Sequence, residues 1–235
     1  MKNLLKFLNS NKNKPVILVQ GLGFVGSVMS LVCANSLISD YAVIGVDLDN
    51  KQTRKKIEDF NKGIFPLTAD DPKILEYFKN ARLKNNFYAT TNVEAYNHAD
   101  VIIVDINLDV VKQSNADNSL RSFEVNLNSF KRAISTIGKY CKQDALVIVE
   151  TTCEKLIYPT LNDEFQQRNL SIDMLKVAHS YERVMPGPEY IDSIQNYPRV
   201  YSGIDNKSAD AAEAFLKTII NTDECALTRL NSTTA

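Results

Sequence analysis

The stretch Val16-Ile-Leu-Val-Gln-Gly-Leu-Gly-Phe-Val-Gly26 decides the fold of this chain. It opens with a continuous apolar run, which predicts a short strand that is buried on both faces. Gly21, Gly23 and Gly26 match the pattern G-x-G-x-x-G, and helical spacing runs from Gly23 to Ser39. The order of strand, glycine turn and helix predicts the opening βαβ unit of a dinucleotide-binding domain.

The glycines of this loop have separate physical roles. Gly21 permits a tight turn, Gly23 lets the backbone approach a pyrophosphate, and Gly26 lets the helix pack closely on the strand. Unpaired N–H groups at the helix N-terminus then favour the phosphate charge. Phe24 and Val25 lie between the last two glycines, and we assign cofactor contacts to them as well. The alternative interpretation is a structural glycine turn in a protein that binds no phosphate.

Asp47 is the acidic partner that such a loop needs. It ends a second predicted strand, Tyr41–Val46, and lies 21 residues beyond Gly26. A carboxylate there can accept hydrogen bonds from the adenosine ribose hydroxyls, and it would repel a 2′-phosphate. No arginine follows immediately, since Arg54 lies two helical turns away. The sequence therefore favours NAD over NADP.

Apolar runs alternate with amphipathic stretches along the whole chain. This order predicts an α/β protein with a doubly wound, Rossmann-type parallel sheet and helices on both faces. Further predicted elements are a helix from Asp71-Pro72 to Arg82, a loop over 114–119, a long helix Phe123–Tyr140 and a last strand Cys225–Thr228. We divide the chain into an amphipathic or frayed lead-in (1–14), an NAD-binding Rossmann-like domain (15–230) and the start of a further helix (231–235).

Charge and composition exclude several classes of protein. Lys and Arg number 27 against 28 Asp and Glu, and no basic stripe appears, which argues against a nucleic-acid partner. No apolar run approaches the roughly 20 residues that a bilayer requires. The apolar core of the first residues is too short for a signal peptide. We therefore expect a cytoplasmic protein without a membrane partner.

Neither the cysteines nor the acidic residues predict a metal site. The four cysteines form no C-x-x-C pair and suggest neither zinc nor a disulfide framework; they are Cys33, Cys141, Cys153 and Cys225. Asp105 and Asp109 flank the end of the strand Val101–Val104, but nothing completes a shell of hard oxygen ligands. We expect no bound metal.

Four further segments follow the glycine loop in a characteristic order. They are Gly63-Ile-Phe-Pro66, Val101-Ile-Ile-Val-Asp-Ile106, Val149-Glu-Thr-Thr152 and Tyr181-Glu-Arg-Val-Met-Pro-Gly187. With the glycine loop, these segments make residues 15–235 resemble the N-terminal half of the UDP-glucose/GDP-mannose dehydrogenase family. The Glu-Arg-x-x-Pro-Gly string in the last segment is typical of members that act on UDP-N-acetylhexosamines and related UDP-sugars.

The resemblance implies a reaction and two catalytic positions. Members of the family oxidise C6 of a sugar nucleotide twice, from alcohol to carboxylate, and reduce two NAD. A cysteine holds the intermediate as a thiohemiacetal and then as a thioester. Thr152 and Glu182 match the threonine that orders a catalytic water and the glutamate that helps the water attack as general base. None of the four cysteines stands in the family's nucleophile motif.

Three more cofactor positions follow from the predicted sheet. Loops at the carboxyl ends of parallel strands line the cofactor cleft. We therefore assign Asp105, which follows the strand Val101–Val104, to this cleft, and Thr91, which follows the strand Phe87–Thr90. Thr152, which follows the strand ending at Val149, is assigned to the cleft as well. For Thr91 the alternative is the N-cap of the next short helix.

The chain departs from the family pattern in two places. It stops at Ala235, where the central helix of the family begins, so the catalytic lysine and the Gly-Gly-x-Cys-x-Pro-type loop are not among these residues. The loop after Val149 is also shorter than the family's Thr-Val-Pro-Pro-Gly-like loop. We therefore expect an NAD-binding half that turns over no UDP-sugar alone. We also expect a monomer or weak dimer, because relatives dimerise through the central helix, which is not among these residues.

Two other functions fit part of the sequence. A non-catalytic NAD-binding regulatory module, or a degenerate paralogue, would explain both departures from the family pattern. A different NAD-linked dehydrogenase, such as a 3-hydroxyacid type, would explain the segment from Gly21 to Asp47 but not Tyr181–Gly187.

Overall fold

The computed structural model describes residues 2–68, 70–106, 109–114, 120–150, 157–185 and 187–231. Within these ranges the chain forms helices and strands in alternation, together with two 3₁₀ helices, Val93–His98 and Ile172–Met174. The strands are β1 (Val16–Gln20), β2 (Ala42–Val46), β3 (Phe87–Thr90), β4 (Val101–Val104), β5 (Asp109–Ser114), β6 (Leu120–Asn126), β7 (Leu146–Val149), β8 (Lys176–His179), β9 (Arg199–Gly203) and β10 (Leu227–Arg229). The α-helices are α1 (Lys2–Ser10), α2 (Phe24–Ala34), α3 (Lys51–Lys62), α4 (Pro72–Lys84), α5 (Asn128–Tyr140), α6 (Ile157–Gln167), α7 (Tyr190–Gln195) and α8 (Asn206–Ile219).

Eight of the strands form one sheet in the order β10-β9-β8-β7-β4-β1-β2-β3. Six neighbouring strands of this sheet, β8, β7, β4, β1, β2 and β3, pair in parallel throughout. Their order, with β1 followed on one side by β2 and β3 and on the other by β4, β7 and β8, is that of the Rossmann fold. The predicted fold class is therefore confirmed, and the cofactor crevice of such a sheet lies where the strand order reverses, between β1 and β4.

The end of the sheet that contains β9 and β10 is not parallel to the rest. β9 pairs antiparallel with β8, and β10 runs parallel to β9. A parallel crossover needs a helix that returns along the length of the sheet. The helix before β9 is α7, whose six residues span only about 9 Å. The prediction of a wholly parallel sheet was wrong at this end, and the first residue of β9 lies at the carboxyl edge of the parallel strands.

The core lies on both faces of the sheet, because side chains alternate along each strand. In β1, which is buried throughout, Val16 and Leu18 belong to one apolar cluster, and Ile17 and Val19 belong to the other. The first cluster includes residues of α1, α5 and α6, and the second includes residues of α2, α3, α4, α7 and α8. Helices therefore cover both faces, as predicted.

The lead-in predicted for residues 1–14 contains the amphipathic helix α1. Leu4 and Phe7 are buried in the first apolar cluster, and the Phe7 ring stacks on Tyr88 of β3 with 5.6 Å between centroids. The side chain of Asn11 donates to the backbone oxygen of Asn85, two residues before β3. This segment is thus packed against the sheet at β3.

The outer edge of β3 meets a side chain instead of another strand. The amide nitrogen of Asn61 donates to the Ala89 carbonyl at 2.8 Å, and the Asn61 amide oxygen accepts from the Ala89 N–H at 3.0 Å. The carboxamide of Asn61, near the end of α3, therefore satisfies both the N–H and the carbonyl group that Ala89 presents at the outer edge of β3.

The predicted long helix Phe123–Tyr140 was wrong in its first part. The chain forms an antiparallel hairpin of β5 and β6 there, and α5 begins only at Asn128. Phe123-Glu-Val125 alternates apolar and charged residues, which is the period of a strand. Phe123 also stands at helical spacing from Leu127 and Phe130, so the sequence supports both periods. The predicted loop over 114–119 lies mostly outside the described residues.

Two other boundaries differ from the predictions. α2 ends at Ala34 and not at Ser39, because the chain turns towards α8, where the Leu37 N–H donates to the Thr218 carbonyl. The last strand covers Leu227–Arg229 and not Cys225–Thr228. Among the described residues, no helix combines the length and the apolar character needed to cross a bilayer.

Candidate functional site

The glycine loop joins three elements in close contact. Gly21 has φ +98°, and a Cβ atom there would lie 2.3 Å from the backbone oxygen of Asp105. A Cβ atom at Gly26 would lie 1.9 Å from the backbone oxygen of Gly21. The Gly21 N–H also donates to the Val46 carbonyl of β2 at 2.8 Å. Both positions therefore require glycine, and the loop lies where β1, β2 and β4 end.

Gly23 differs from the other two glycines because it faces open space. Apart from its two chain neighbours, no described atom lies within 4 Å of the position that its Cβ would take. It is the N-cap of α2, and no side chain of the described residues caps this end of the helix. Phe24 and Val25 begin the helix, where backbone N–H groups have no partner within the helix. An uncapped helix N-terminus with free space in front of it fits the pyrophosphate of a dinucleotide.

An aromatic contact flanks this helix end. The Phe24 ring packs against Tyr190 of α7 with 4.8 Å between the ring centroids. Tyr190 is buried, and its hydroxyl has no hydrogen-bond partner among the described residues. Burial raises the pKa of Tyr190, and the charge of Asp105 adds to the effect. The hydroxyl therefore keeps its proton, and it lies close enough to Asp105 for the carboxylate charge to affect its pKa.

Asp47 directly follows β2, as predicted, and both of its carboxylate oxygens have partners. Oδ1 accepts from the Leu48 N–H at 2.8 Å, and Oδ2 accepts from Lys56 Nζ at 2.7 Å. A carboxylate offers about four lone-pair positions, so acceptor capacity remains for ribose hydroxyls. Arg54 is held by Asp49 through two hydrogen bonds. The geometry supports the NAD preference, and the ribose contact of Asp47 stays a prediction.

The N-cap interpretation of Thr91 was wrong. The cap of the 3₁₀ helix is Asn92, whose side chain accepts from the Glu94 N–H at 3.1 Å. The hydroxyl of Thr90 accepts from the Asn92 N–H and fixes the preceding turn. Thr91 is partly exposed at the end of β3, and β3 neighbours β2. A contact between Thr91 and the cofactor stays a prediction.

Asp105 lies directly beneath the glycine loop. Its Oδ2 atom is 3.1 Å from the position of a Cβ at Gly26, and this oxygen is buried without a hydrogen-bond partner among the described residues. Burial raises the pKa of Asp105 to about 8, and the carboxylates of Glu150 and Glu182 add to the effect while Arg199 opposes it. At neutral pH the carboxyl group is therefore mostly protonated. A neutral acid there places no negative charge beside the glycine loop.

A buried ion pair beside Asp105 was missed by the sequence analysis. Arg199, the first residue of β9, has no exposed surface and pairs with Glu150, which directly follows β7. Arg199 Nε also donates to the hydroxyl of Ser180, directly after β8, at 2.9 Å. Burial raises the pKa of Glu150, and the guanidinium of Arg199 opposes this. The signal was present in the sequence, because charged residues inside apolar segments are almost always paired when buried.

Glu182 stands at the same edge of the sheet, three residues beyond β8. Its Oε2 atom accepts a hydrogen bond from the Val184 N–H, and its charge contributes to the raised pKa values of Asp105 and Glu150. His179 is buried nearby, and burial together with Arg199 lowers its pKa, so the ring is neutral at pH 7. The structure thus brings Glu182 and Asp105 together. Thr152 lies outside the described residues, and its catalytic role stays a prediction.

The described cysteines are unsuited to nucleophilic chemistry. Cys33 and Cys141 are buried, and burial raises the pKa of Cys33 and raises that of Cys141 to about 11. Burial also raises the pKa of Cys225. A reactive cysteine needs a lowered pKa. Within the described ranges, no group of three or more His, Cys, Asp or Glu side chains could hold a metal ion.

The fold and the site together define a dinucleotide-binding domain of the Rossmann class. A family model described as "UDP-glucose/GDP-mannose dehydrogenase family, NAD binding domain" matches residues 16–220. The chain therefore belongs to the UDP-glucose/GDP-mannose dehydrogenase family, and this part is its NAD-binding domain.

Related proteins agree with this assignment. The UDP-N-acetyl-D-mannosamine dehydrogenase of Methanocaldococcus jannaschii is 29% identical over 204 residues, which are 87% of this chain and 42% of the relative. The enzyme of the same name from Pyrococcus horikoshii is 27% identical over 210 residues, which are 87% of this chain and 44% of the relative. The chain thus spans less than half the length of these curated relatives.

Solved structures show the same fold. The crystal structure of NDP-N-acetyl-D-galactosaminuronic acid dehydrogenase from Methanosarcina mazei Go1 matches with a TM-score of 0.79 and 23% identity, over 99% of this chain and 47% of that one. The structure of the UDP-D-ManNAc dehydrogenase from Pyrococcus horikoshii matches with a TM-score of 0.72 and 26% identity, over 94% of this chain and 48% of that one.

Proposed function

We propose that this chain holds NAD for an enzyme that oxidises C6 of a UDP-sugar, of the UDP-N-acetylhexosamine or UDP-glucose type, to the carboxylate with two NAD. The observation that carries the proposal is the uncapped N-terminus of α2 behind Gly23, with Asp105 and Glu182 at the same edge of the sheet. The names of the curated relatives support a substrate of the UDP-N-acetylhexosamine type.

In this proposal the described residues bind and orient the cofactor. The first turn of α2, including Phe24 and Val25, binds the pyrophosphate, and Asp47 accepts hydrogen bonds from the adenosine ribose hydroxyls. The bound NAD would accept a hydride from the sugar. Glu182 helps a water attack the oxidised intermediate, and Thr152 orders that water, as the resemblance to the family implies.

The nucleophilic thiol is not one of the described cysteines, because burial raises the pKa of Cys33, Cys141 and Cys225. We therefore propose that residues 15–230 form one NAD-binding domain and that turnover requires the lysine and cysteine segments of the family. The UDP-sugar binds in the complete enzyme. For these 235 residues alone we propose a monomer or weak dimer located in the cytoplasm.

The matched variants Gly23→Ala and Gly21→Ala test the cofactor site. Alanine at position 23 meets no described atom outside its chain neighbours, so the protein should still fold, with at most a small loss of helix capping, while the methyl group occupies the space of the pyrophosphate. We expect calorimetric titration to show NAD binding that weakens at least about tenfold, which corresponds to roughly 1.4 kcal/mol. Gly21→Ala should instead destabilise the fold, because of its positive φ and the 2.3 Å contact. Unchanged NAD affinity in Gly23→Ala would contradict the proposed site.

Turnover is tested separately, by NADH formation with UDP-glucose, UDP-N-acetylglucosamine and their C4 and C2 epimers. We expect NAD binding without steady NADH production. Steady turnover by these 235 residues would contradict the need for the lysine and cysteine segments. The coding sequence after position 235 distinguishes the enzyme hypothesis from the regulatory-module hypothesis. An open reading frame that encodes a lysine-bearing helix and a Gly-Gly-x-Cys-x-Pro-type loop favours the enzyme. A natural stop codon favours the module.

A further inference from the structure

Lys56 connects the glycine loop with the acidic residue of the ribose site. Its Nζ atom donates to the backbone oxygen of Leu22 at 2.5 Å and to Oδ2 of Asp47 at 2.7 Å. The side chains of Lys56 and Asp47 are 21% and 16% exposed. The ammonium group therefore lies within hydrogen-bond reach of the place where the adenosine ribose would meet Asp47.

The structure of α3 explains why this lysine points inward. Asn50 caps the helix by accepting from the Thr53 N–H, which fixes its first turn. Thr53 and Phe60 are buried, and Lys56 stands three residues after the former and four before the latter. Residues at these spacings share one face of a helix. The aliphatic stem of Lys56 therefore follows the buried face, and only the ammonium reaches the rim.

The neighbouring cations of α3 are placed differently. Arg54 is bound by Asp49 and is mostly exposed. Lys51 and Lys55 are exposed as well. Among the described residues, Lys56 is the cation that contacts the proposed ribose ligand. It would stand next to the 2′-phosphate if NADP entered this site.

We propose that Lys56 positions Asp47 for the ribose of NAD, and that it becomes the ligand of the NADP 2′-phosphate when the Asp47 carboxylate is removed. This inference rests on the proposed ribose contact of Asp47. While the carboxylate is present, the ammonium holds it in place and is itself engaged, and the negative charge of the carboxylate repels a phosphate at close range. Without the carboxylate, a partly buried ammonium keeps a single described partner, the Leu22 carbonyl, and attracts an anion.

The experiment compares NAD and NADP binding by calorimetric titration at low ionic strength. The variants are Asp47→Asn, Lys56→Met, Asp47→Asn/Lys56→Met and Asp47→Asn/Lys56→Arg. Lys55→Met is the matched control, because it removes the same charge from an exposed position of the same helix. Circular dichroism confirms that each variant is folded.

The expected results differ for each variant. Lys56→Met should weaken NAD binding about threefold to fivefold, since a partly exposed ion pair is worth up to about 1 kcal/mol, which is about fivefold. Lys55→Met should stay within about twofold, because an exposed charge contributes little. Asp47→Asn should raise the ratio of NADP to NAD affinity at least about tenfold. The added Lys56→Met should abolish that gain, and the added Lys56→Arg should keep it.

Two outcomes would overturn the inference, and they are distinguishable. If the unsubstituted protein binds NAD but Asp47→Asn and Asp47→Asn/Lys56→Met gain NADP affinity equally, Lys56 is not the phosphate ligand and only this inference fails. If the unsubstituted protein binds neither nucleotide, the proposed cofactor site fails together with the inference.

Discussion

Replacing Asp105 with asparagine should change the pH dependence of the stability of the fold. Burial raises the pKa of this carboxyl group from 3.8 to about 8, so the folded protein binds the proton more tightly than the unfolded chain does. The resulting stabilisation is present in full below about pH 4 and is lost as the pH rises towards 8. Asparagine has a similar shape and no proton to lose. The variant should therefore lack this part of the pH dependence.

The size of the effect follows from the pKa shift. One pKa unit corresponds to about 1.4 kcal/mol, so the whole shift would give an upper limit of roughly 6 kcal/mol. Asp105 is partly exposed, so solvent screens its charge, and the range from pH 5 to pH 8 covers only part of the shift from 3.8. We therefore expect the free energy of unfolding of the unsubstituted protein to fall, relative to Asp105→Asn, by roughly 2 kcal/mol between pH 5 and pH 8.

Urea denaturation of both proteins at pH 5, 6, 7 and 8 measures this difference. Other buried titrating groups, such as Glu150 and His179, are common to both proteins and largely cancel in the comparison. Glu76→Gln, on the exposed face of α4, is the control and should show no such trend. If the difference between the unsubstituted protein and Asp105→Asn is the same at pH 5 and pH 8, the argument from burial is wrong.

Two further predictions concern stability. Arg199→Met should lower the free energy of unfolding by roughly 3–5 kcal/mol, because it leaves the buried carboxylate of Glu150 without its partner; the added Glu150→Gln should recover part of the loss in thermal denaturation. Phe7→Ala should cost roughly 3 kcal/mol, because Phe7 is 6% exposed in the core, whereas Leu5→Ala on the exposed face of α1 should cost less than about 1 kcal/mol. Equal losses for the two α1 variants would show that the helix is not anchored through Phe7.

Local chemistry made much of the fold predictable from the sequence. The glycine turn depends on Gly21 and Gly26, whose neighbours leave no space for a Cβ atom. The helix starting at Asp71-Pro72 depends on a cap within two residues, and Asp71 accepts from the Lys73 N–H as expected. Asp47 follows directly from the end of an apolar strand. Each of these features is determined by residues that lie close together in the sequence.

The features that were missed depend on contacts between distant segments or on competing local signals. Arg199 pairs with Glu150, 49 positions away in the sequence, because β9 is antiparallel to β8. The sequence pattern does not show the direction of β9, since that direction reflects the short length of α7. Thr91 and Asn92 are both residue types that suit the cap of the short helix after β3, and the structure selects Asn92, which the sequence also indicates as the cap.

The carboxamide of Asn61 has a consequence for the behaviour of the protein in concentrated solution. An outermost strand with unsatisfied backbone groups can recruit a strand from another molecule and start aggregation. Asn61 occupies both outward-facing groups of Ala89, so an incoming chain would have to displace two hydrogen bonds before it could pair there. A single side chain of α3 thereby helps to keep the sheet from growing beyond β3.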